Sequence, residues 1–248
     1  MAPVPRDRLT APTQGSHQLD RSRDRRPLAP TLGVMDRSHH WDAIYTAREA
    51  EEVSWYEAIP TASIQRVREA VERGARSVID IGGGASRLVD HLVEMDLDRI
   101  TVLDISRRAL DIARRRLGTA GEAVEWVVGD ITRLDDLGTF DVWHDRAVFH
   151  FLTDSSDCRR YVALCERTVE PGGMAVMATF APEGPEMCSG LPVHRYDAQE
   201  LSGRCGIAFE LVDDEHYVHV TPAGVEQSFV YFSFRRVTSS ASLSVATV

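Results

Sequence analysis

The sequence predicts a single α/β domain built around a mostly parallel sheet. Segments typical of strands alternate with helical segments of about 10 to 15 residues, which is the pattern of βαβ units. The last two strand candidates, residues 209–220 and 225–235, are joined only by Thr-Pro-Ala-Gly, which is too short for a crossover helix. We therefore expect them to pair antiparallel at one edge of the sheet. A chain of 248 residues, 43% of them hydrophobic, is long enough for one such domain with a substantial core.

The expected elements follow one another without internal repeats. A helix is expected over residues 38–49, and a second one begins after Pro60 with its apolar residues on one side. Ser106 is the expected N-cap of a helix that Gly118 ends. The remaining expected elements are a strand over 77–81, a helix over 86–95, a strand over 100–104, a helix over 107–117, strands over 124–128 and 140–143, a helix over 155–169 and a strand over 174–180.

Both ends of the chain lack helical or strand periodicity. Residues 1–35 contain scattered prolines and arginines, so we expect a disordered extension. Met35 comes directly before the first expected helix, which suggests either that translation starts there or that the extension is dispensable. Residues 237–248 are mostly small or polar and are expected to form a flexible tail. The expected domain therefore spans residues 36–236.

The composition argues against several classes of partner. With 28 Lys and Arg against 38 Asp and Glu, the net charge is −10, so the chain has no general electrostatic attraction to nucleic acid or to an anionic membrane. The four cysteines show no C-x-x-C spacing, which indicates reduced thiols and no metal site. No apolar run approaches the length of a membrane span, and nothing near Met1 resembles a secretory signal. We expect a cytoplasmic protein that uses neither nucleic acid nor membrane.

The most informative motif is the glycine-rich turn after the first expected strand. Residues 78–86 read Val-Ile-Asp-Ile-Gly-Gly-Gly-Ala-Ser, an apolar strand that runs into Gly82, Gly83 and Gly84 and then into a helix. Glycines at such a turn let the backbone approach a ligand closely, and a nucleotide-like cofactor is the ligand expected there. Asp104 ends the second strand 22 residues after Gly82, a spacing that suits an acid accepting hydrogen bonds from ribose hydroxyls.

The residues around this turn discriminate between two classes of cofactor. A dinucleotide fingerprint has Gly or Ala at its sixth position, where this chain has Arg87, so a nicotinamide-dependent oxidoreductase is the weaker alternative. The chain instead reads D-x-G-x-G from Asp80 to Gly84. After the third expected strand, Asp130 is suited to accept a hydrogen bond from an adenine amino group, while Ile131 lies on the ring.

With these motifs and the Glu-Pro-Gly-Gly stretch at 170–173, the chain resembles the class I S-adenosylmethionine-dependent methyltransferases over roughly residues 38–236. The resemblance implies a Rossmann-like sheet of seven strands in the order 3-2-1-4-5-7-6, with strand 7 antiparallel and helices on both faces. It also implies that S-adenosylmethionine is the cofactor. The residues assigned to the cofactor on this basis are Asp80, Gly82, Gly83, Gly84, Asp104, Ile105, Asp130, Ile131 and His144.

An aromatic segment precedes the first expected strand. Residues 41–45 (Trp-Asp-Ala-Ile-Tyr) and 54–57 (Ser-Trp-Tyr-Glu) resemble the segment before the sheet in thiopurine-methyltransferase-like enzymes and in the group that contains the citrate synthase and elongation factor lysine methyltransferases. That resemblance implies a segment that covers the cofactor and shapes the substrate pocket. The rings of Trp41, Tyr45 and Trp55 suit a sulfonium cation through their π faces. The alternative is that they form the buried face of a lid helix.

Candidate acceptor-side residues follow the fourth and fifth expected strands, because ligands of an open α/β sheet bind beyond the carboxyl ends of its strands. His144, Asp145 and Arg146 are the candidate catalytic residues, since a histidine can take a proton near neutral pH. The alternatives are a hydrogen-bonded structural histidine and a local ion pair. The Asn/Asp-Pro-Pro-Tyr motif of adenine and glutamine amino-methyltransferases is missing. The candidate substrate-binding residues, with loop packing as their alternative, are His150, His194, Arg195 and Tyr196.

These inferences predict a methyltransferase that uses S-adenosylmethionine to methylate a small polar molecule. A protein lysine is the alternative acceptor, because an acidic domain favours a basic target. A non-catalytic regulator that binds S-adenosylmethionine is the alternative from another class. The candidate polar side chains after the fourth and fifth strands favour catalysis over regulation. The sequence leaves the oligomeric state open.

Overall fold

Within residues 34–238, the part of the chain that the computed structural model describes, helices flank both faces of a seven-stranded sheet. The expected disordered extension and flexible tail lie outside these residues, apart from two positions at each inner end. The first helix begins at Val34, ahead of its expected start at Ser38. The helices are α1 Val34–Ala47, α2 Thr61–Glu72, α3 Leu88–Leu92, α4 Arg107–Leu117, α5 Ser155–Thr168 and α6 Ala198–Cys205.

Seven strands form one mixed sheet in the order β3-β2-β1-β4-β5-β7-β6, and residues 187–188 and 191–192 form a separate antiparallel pair. Strand β7 runs antiparallel to β5 and β6, while the other neighbouring pairs are parallel. This confirms the strand order that the resemblance implied, and the antiparallel final pair that the short connection predicted. The strands are β1 Ser77–Ile81, β2 Arg99–Asp104, β3 Val124–Val128, β4 Phe140–Arg146, β5 Val169–Phe180, β6 Phe209–Val220 and β7 Glu226–Arg236.

Local sequence explains where the helices begin and end. Ser106 Oγ accepts a hydrogen bond from a backbone N–H in the first turn of α4, and Gly118, with a φ of +57°, ends that helix, as predicted. Helix α3 is shorter than expected because the glycine-rich turn continues as far as Ser86, whose Oγ accepts from the N–H of Leu88. Helix α6 lies in a stretch for which the sequence analysis predicted no element.

Alternation along β1 and β4 decides which face of the sheet each site residue occupies. In β4, Trp143 lies in the core packed against α5 and α6, whereas Val142 lies in the core packed against α2, α3 and α4. The register pairs Asp80 of β1 with His144 of β4. Asp80 and His144 therefore point together to the α2 side, and Asp145 points to the α5 side.

Two further properties concern the described part of the chain as a whole. No helix between residues 34 and 238 has the length and the apolar composition needed to cross a membrane. All of the cysteines fall within this range, and each is a buried free thiol.

Candidate functional site

The glycine-rich turn lies at the carboxyl end of β1, where close contacts leave no room for side chains. The N–H groups of Gly82 and Gly83 both donate to the carbonyl of Leu103 in β2, at 2.7 and 3.2 Å. A Cβ on Gly82 would collide with the loop after β4, and a Cβ on Gly84 would lie 2.6 Å from Asp104 Oδ2. The φ angles of Gly82 and Gly84 are +67° and +39°, in the region that favours glycine. Both positions therefore require glycine.

Three acids stand around this turn, one at the carboxyl end of each of the neighbouring strands β1, β2 and β3. Each uses its Oδ1 atom to hold local structure. Of the Oδ2 atoms, those of Asp80 and Asp130 are buried and accept no hydrogen bond from the described residues. The Oδ1 partners are His144 Nδ1 for Asp80 (2.7 Å), the N–H of Ser106 for Asp104 (2.7 Å) and the N–H of Thr132 for Asp130 (2.9 Å).

Asp104 occupies an environment that favours its neutral form. Burial raises the pKa of its carboxyl to about 7, and the negative charges of Asp80 and Asp42 act in the same direction. The hydrogen bond from the N–H of Ser106 opposes them and only partly offsets burial. This carboxyl therefore titrates near neutral pH, and hydroxyl donors placed beside it would stabilise its ionised form.

Helix α1 lies against the starts of α4 and α5, where it is held by polar contacts. Asp42 Oδ1 accepts a hydrogen bond from Ser106 Oγ at 2.5 Å. Arg37 forms an ion pair with Asp157 at 2.7 Å, and its second terminal nitrogen lies 3.8 Å from Asp130 Oδ2. These contacts place α1 over the acids at the ends of β2 and β3.

The predicted aromatic residues form one cluster between α1 and the segment that follows it. Trp41 and Tyr45 both meet Trp55 edge to face, with ring centroids 5.6 and 6.1 Å apart, and Trp55 Nε1 donates to the Tyr45 hydroxyl at 3.1 Å. Trp41 also contacts Phe151 of the loop after β4, at 5.1 Å. The structure thus brings together the three rings that the sequence analysis selected, and adds Phe151.

A pocket that is partly open to solvent lies between the glycine-rich turn and this aromatic cluster. Of the predicted cofactor residues, Trp41, Gly84, Asp104, Ile105, Asp130 and Ile131 lie outside its lining. The residues of this lining that matter below are Tyr45, Trp55, Glu57, Ser63, Asp80, Gly82, Gly83, Arg87, His144 and Arg146.

His144 lies in the pocket wall, with both ring nitrogens engaged. Its Nδ1 is 2.7 Å from Asp80 Oδ1, and its Nε2 is 2.9 Å from Ser63 Oγ in the first turn of α2. The ring is almost completely buried. Neither nitrogen is therefore available to a substrate in this arrangement.

Asp145 lies away from the pocket, although it is adjacent in sequence to His144 and Arg146. Its carboxylate accepts hydrogen bonds from the N–H groups of Val148 and Phe149, at 2.8 and 3.0 Å, and from the Tyr161 hydroxyl. Burial raises the pKa of Asp145 to about 6, with those hydrogen bonds acting in the opposite direction. The three candidate catalytic residues therefore do not form one group.

Arg146 belongs to a buried ionic cluster that the sequence analysis did not identify. Its guanidinium donates to the carbonyl of Trp55 and to Glu57 Oε1, both at 2.9 Å. His219 of β6 contacts the same Glu57 oxygen at 3.0 Å and the carbonyl of Ser54 at 2.6 Å. Burial alone would raise the pKa of Glu57, but His219 and Arg146 outweigh it and lower that pKa. The cluster fastens residues 54–57 to the sheet.

His150 is a buried histidine without hydrogen-bond partners. Neither ring nitrogen is bonded to a described residue, and the ring lies 4.5 Å from Phe151 and 4.8 Å from Phe180, centroid to centroid. Burial, with a smaller effect from Arg146, lowers the pKa of His150 to about 3, so the imidazole is neutral at physiological pH. It does not line the pocket described above.

The other predicted substrate-binding residues lie further along the chain, and their side chains contact residues outside the pocket lining. His194 Nε2 contacts Glu200 Oε1 at 2.7 Å, and Arg195 pairs with Glu186 at 3.0 Å. Tyr196 is fully buried and packs against Phe149. None of the three lines the pocket. Only the backbone links them to His150, whose carbonyl accepts from the N–H of His194 at 2.8 Å.

Sequence comparison locates a known family in the part of the chain that carries the glycine-rich turn and the three acids. Residues 78–173 match a methyltransferase domain. The matched stretch runs from β1 into β5 and includes His144 and Arg146. No curated protein sequence matches the chain.

Solved structures with the same fold include several methyltransferases. NodS, an N-methyltransferase from Bradyrhizobium japonicum solved with S-adenosyl-L-homocysteine, is 17% identical, with a TM-score of 0.61 over 79% of this chain and 97% of NodS. The 1,6-didemethyltoxoflavin-N1-methyltransferase of Burkholderia thailandensis is 18% identical, with a TM-score of 0.59 over 85% of this chain and 93% of that one. A protein solved in work on conversion of a disulfide to a thioacetal in echinomycin biosynthesis is 18% identical, with a TM-score of 0.67 over 82% and 93% of the two chains. At these identities the likeness concerns the fold, and the resemblance to a particular subgroup stays a prediction.

Proposed function

We propose that the protein is an S-adenosylmethionine-dependent methyltransferase that acts on a small molecule. The observation that carries this proposal is the row of three acids at the carboxyl ends of β1, β2 and β3, within the stretch that matches a methyltransferase domain. Each acid has one oxygen engaged locally, and for Asp80 and Asp130 the other oxygen is buried without a hydrogen bond. Buried carboxylate oxygens without donors are costly, so a ligand with several donors is expected there.

The donors of S-adenosylmethionine match these acids in kind. Its α-ammonium group would meet Asp80 Oδ2 in the pocket, its ribose hydroxyls Asp104, and its adenine amino group Asp130. The glycine-rich turn leaves room for a ligand to approach the backbone, since Gly82 and Gly84 cannot carry side chains. Ile105 and Ile131 follow two of these acids and are proposed to contact the adenosine part.

When bound, this cofactor supplies an electrophilic methyl group, and the chain's task is to position an acceptor and exclude water. The cluster of Trp41, Tyr45 and Trp55 is suited to both purposes, since Tyr45 and Trp55 line the pocket and Trp41 packs against Trp55. Orientation of two bound reactants contributes roughly 7 to 11 kcal/mol to the lowering of such a barrier. No strong general base is required if the acceptor is already nucleophilic.

The polar residues at the end of β4 support positioning rather than proton transfer. His144 has both nitrogens engaged, Arg146 is bound to Glu57, and Asp145 braces the loop from the opposite face of the sheet. We therefore propose that His144 and Arg146 shape the pocket and that Asp145 holds the loop. An acceptor that needs little help with deprotonation, such as a thiolate or a neutral amine, fits this arrangement.

A small acceptor is supported by the burial of the polar groups in the pocket wall and by the activity of one structural neighbour. Glu57 and Arg146 are largely buried in its wall, so a macromolecule would have to displace residues 54–57 to reach them. The toxoflavin-precursor enzyme among the structural neighbours acts on a small heterocycle. The net charge of −10 supports the further proposal that the protein works in the cytoplasm without nucleic acid or membrane.

The test is to incubate the purified chain with methyl-labelled S-adenosylmethionine and a lysate, and then to separate proteins from small molecules. We expect a labelled product in the low-mass fraction that chromatography separates from the remaining labelled S-adenosylmethionine, and much less of that product when Asp104→Ala replaces the wild-type chain. Label on a protein band would instead support the lysine alternative. Tight cofactor binding without transferred label in any fraction would support a regulator.

A further inference from the structure

Four buried side chains from four different elements form one hydrogen-bonded chain, and three of them belong to the pocket wall. Asp80 Oδ1 of β1 lies 2.7 Å from His144 Nδ1 of β4, and His144 Nε2 lies 2.9 Å from Ser63 Oγ of α2. Ser63 Oγ in turn lies 3.1 Å from the Tyr231 hydroxyl of β7. All four residues are at most 2% exposed. The chain therefore links the glycine-rich turn to the antiparallel part of the sheet.

Donor and acceptor rules give this chain one direction for a neutral imidazole at His144. The Asp80 carboxylate can only accept, so His144 Nδ1 carries a proton and donates to it. The lone pair on Nε2 of a neutral imidazole then accepts a hydrogen bond from the Ser63 hydroxyl. The Ser63 oxygen can accept in turn from Tyr231. Every group is satisfied in this arrangement except Asp80 Oδ2, which has no partner and belongs to the pocket wall.

The Ser63–His144–Asp80 arrangement resembles the triad of a serine hydrolase, but its surroundings favour another role. Ser63 Oγ is fully buried and already bonded to Tyr231, so it cannot approach a substrate carbonyl. The atom that lacks a partner is the far oxygen of the acid and not the serine hydroxyl. A hydrogen-bonded chain that ends in an unpartnered carboxylate oxygen is suited to binding a cation with N–H donors.

We propose that Ser63 and Tyr231 are positioning residues that act through His144 to fix the Asp80 carboxylate for the α-ammonium group of the cofactor. This inference rests on the function proposed above. Without the hydroxyl of Ser63, His144 Nε2 would lose its donor inside the protein, and the imidazole and Asp80 would be free to shift. The ligand recognised at this end of the pocket is thus a primary ammonium group on an amino-acid side arm, and the adenosine part is recognised elsewhere.

Two ligands that differ in this side arm test the proposal. S-adenosylhomocysteine carries the ammonium group, whereas 5′-methylthioadenosine shares its adenosine and thioether but has no amino-acid part. We expect Ser63→Ala and Tyr231→Phe each to weaken S-adenosylhomocysteine binding about tenfold, or about 1.4 kcal/mol. Binding of 5′-methylthioadenosine to the same variants should stay within about twofold of wild type. Isothermal titration calorimetry measures both affinities.

Thr168→Val is the matched control, because it removes a buried hydroxyl without a described partner at the far end of α5. It should change neither affinity. If Ser63→Ala and Tyr231→Phe weakened the binding of both ligands equally, the proposal would be overturned, because that result would indicate a general disturbance of the pocket. Unchanged affinity for both ligands would overturn it as well. If the wild-type chain binds neither ligand, the proposed function itself fails, a result distinct from these two.

Discussion

Gly84 lies so close to the Asp104 carboxylate that a methyl side chain at position 84 would collide with it. The position that a Cβ would take on Gly84 lies 2.6 Å from Asp104 Oδ2, and Gly84 has a φ of +39°. We expect Gly84→Ala to lower the free energy of unfolding by about 1 to 3 kcal/mol and to abolish S-adenosylhomocysteine binding. Urea unfolding and calorimetry measure the two effects.

The control for this substitution is Gly203→Ala in α6, where a Cβ would meet no atom within 4 Å. Because alanine favours the helix over glycine, Gly203→Ala should stabilise the chain by roughly 0.5 to 1 kcal/mol. If Gly84→Ala bound S-adenosylhomocysteine as wild type does, the turn would not be part of the ligand site.

A second prediction concerns the dependence of stability on pH. Burial raises the pKa of Asp104 from 3.8 in its ordinary state to about 7 in the folded chain. The folded state therefore retains a proton that the unfolded state has released between about pH 4 and pH 7, and its stability falls as pH rises through this window. Asp104→Asn removes this dependence, which amounts at most to something on the order of 4 kcal/mol.

Urea unfolding of the wild-type and Asp104→Asn chains at pH 5, 6, 7 and 8 measures this difference. The two free energies should diverge with rising pH, with the variant the more stable at pH 8. Asp145, whose pKa burial raises to about 6, contributes a similar slope to both chains and cancels in the comparison. If the free energies of unfolding of the two chains changed with pH in parallel, the assigned environment of Asp104 would be contradicted.

Helix α1 supplies a third prediction, about the release of ligand. Arg37 pairs with Asp157 at 2.7 Å and lies near Asp130, so it fastens α1 over the end of β3. A partly exposed pair of this kind contributes up to about 1 kcal/mol. We expect Arg37→Gln to speed dissociation of S-adenosylhomocysteine about threefold to fivefold, as measured by stopped-flow fluorescence of the nearby tryptophans.

Arg73→Gln is the control for that measurement, because Arg73 pairs only with the exposed Glu69 of its own helix among the described residues. S-adenosylhomocysteine should dissociate from Arg73→Gln at the same rate as from the wild-type chain. An unchanged rate in Arg37→Gln would show that α1 does not limit release.

A fourth prediction concerns the buried ionic cluster. Glu57 accepts from both Arg146 and His219, so Glu57→Gln leaves a buried guanidinium without its counter-charge. Such a change costs about 3 to 5 kcal/mol. Glu186→Gln, which removes the exposed partner of the partly buried Arg195, should cost less than about 0.5 kcal/mol. Urea unfolding measures both costs. If the two variants lost similar amounts of unfolding free energy, the assigned role of the cluster would be contradicted.

Much of the fold followed from local patterns. The alternation of strand and helix segments, the N-cap at Ser106 and the short connection before β7 each predicted a feature that the structure contains. Helix α6 was missed, although Asp197 followed by Glu200 is a helix-start signal, and the Asp197 side chain does accept from the N–H of Glu200.

The site was less predictable, because its members come from distant parts of the chain. His144 and Asp145 were grouped because they are adjacent, yet in a strand adjacent residues point to opposite faces. Ser63 and Tyr231 belong to no sequence motif, and only the packing of α2 against the sheet brings them together. His219 reaches Glu57 through the pairing of the sheet edge, which no spacing in the sequence indicates.

The most direct test of the central claim is a calorimetric titration of the wild-type chain and of Asp104→Ala with S-adenosylhomocysteine. The account predicts saturable binding of one molecule per chain, weakened at least tenfold by the substitution, because Asp104 is the proposed acceptor for the ribose hydroxyls. Absence of binding to the wild-type chain, or equal affinity in the two chains, would contradict it.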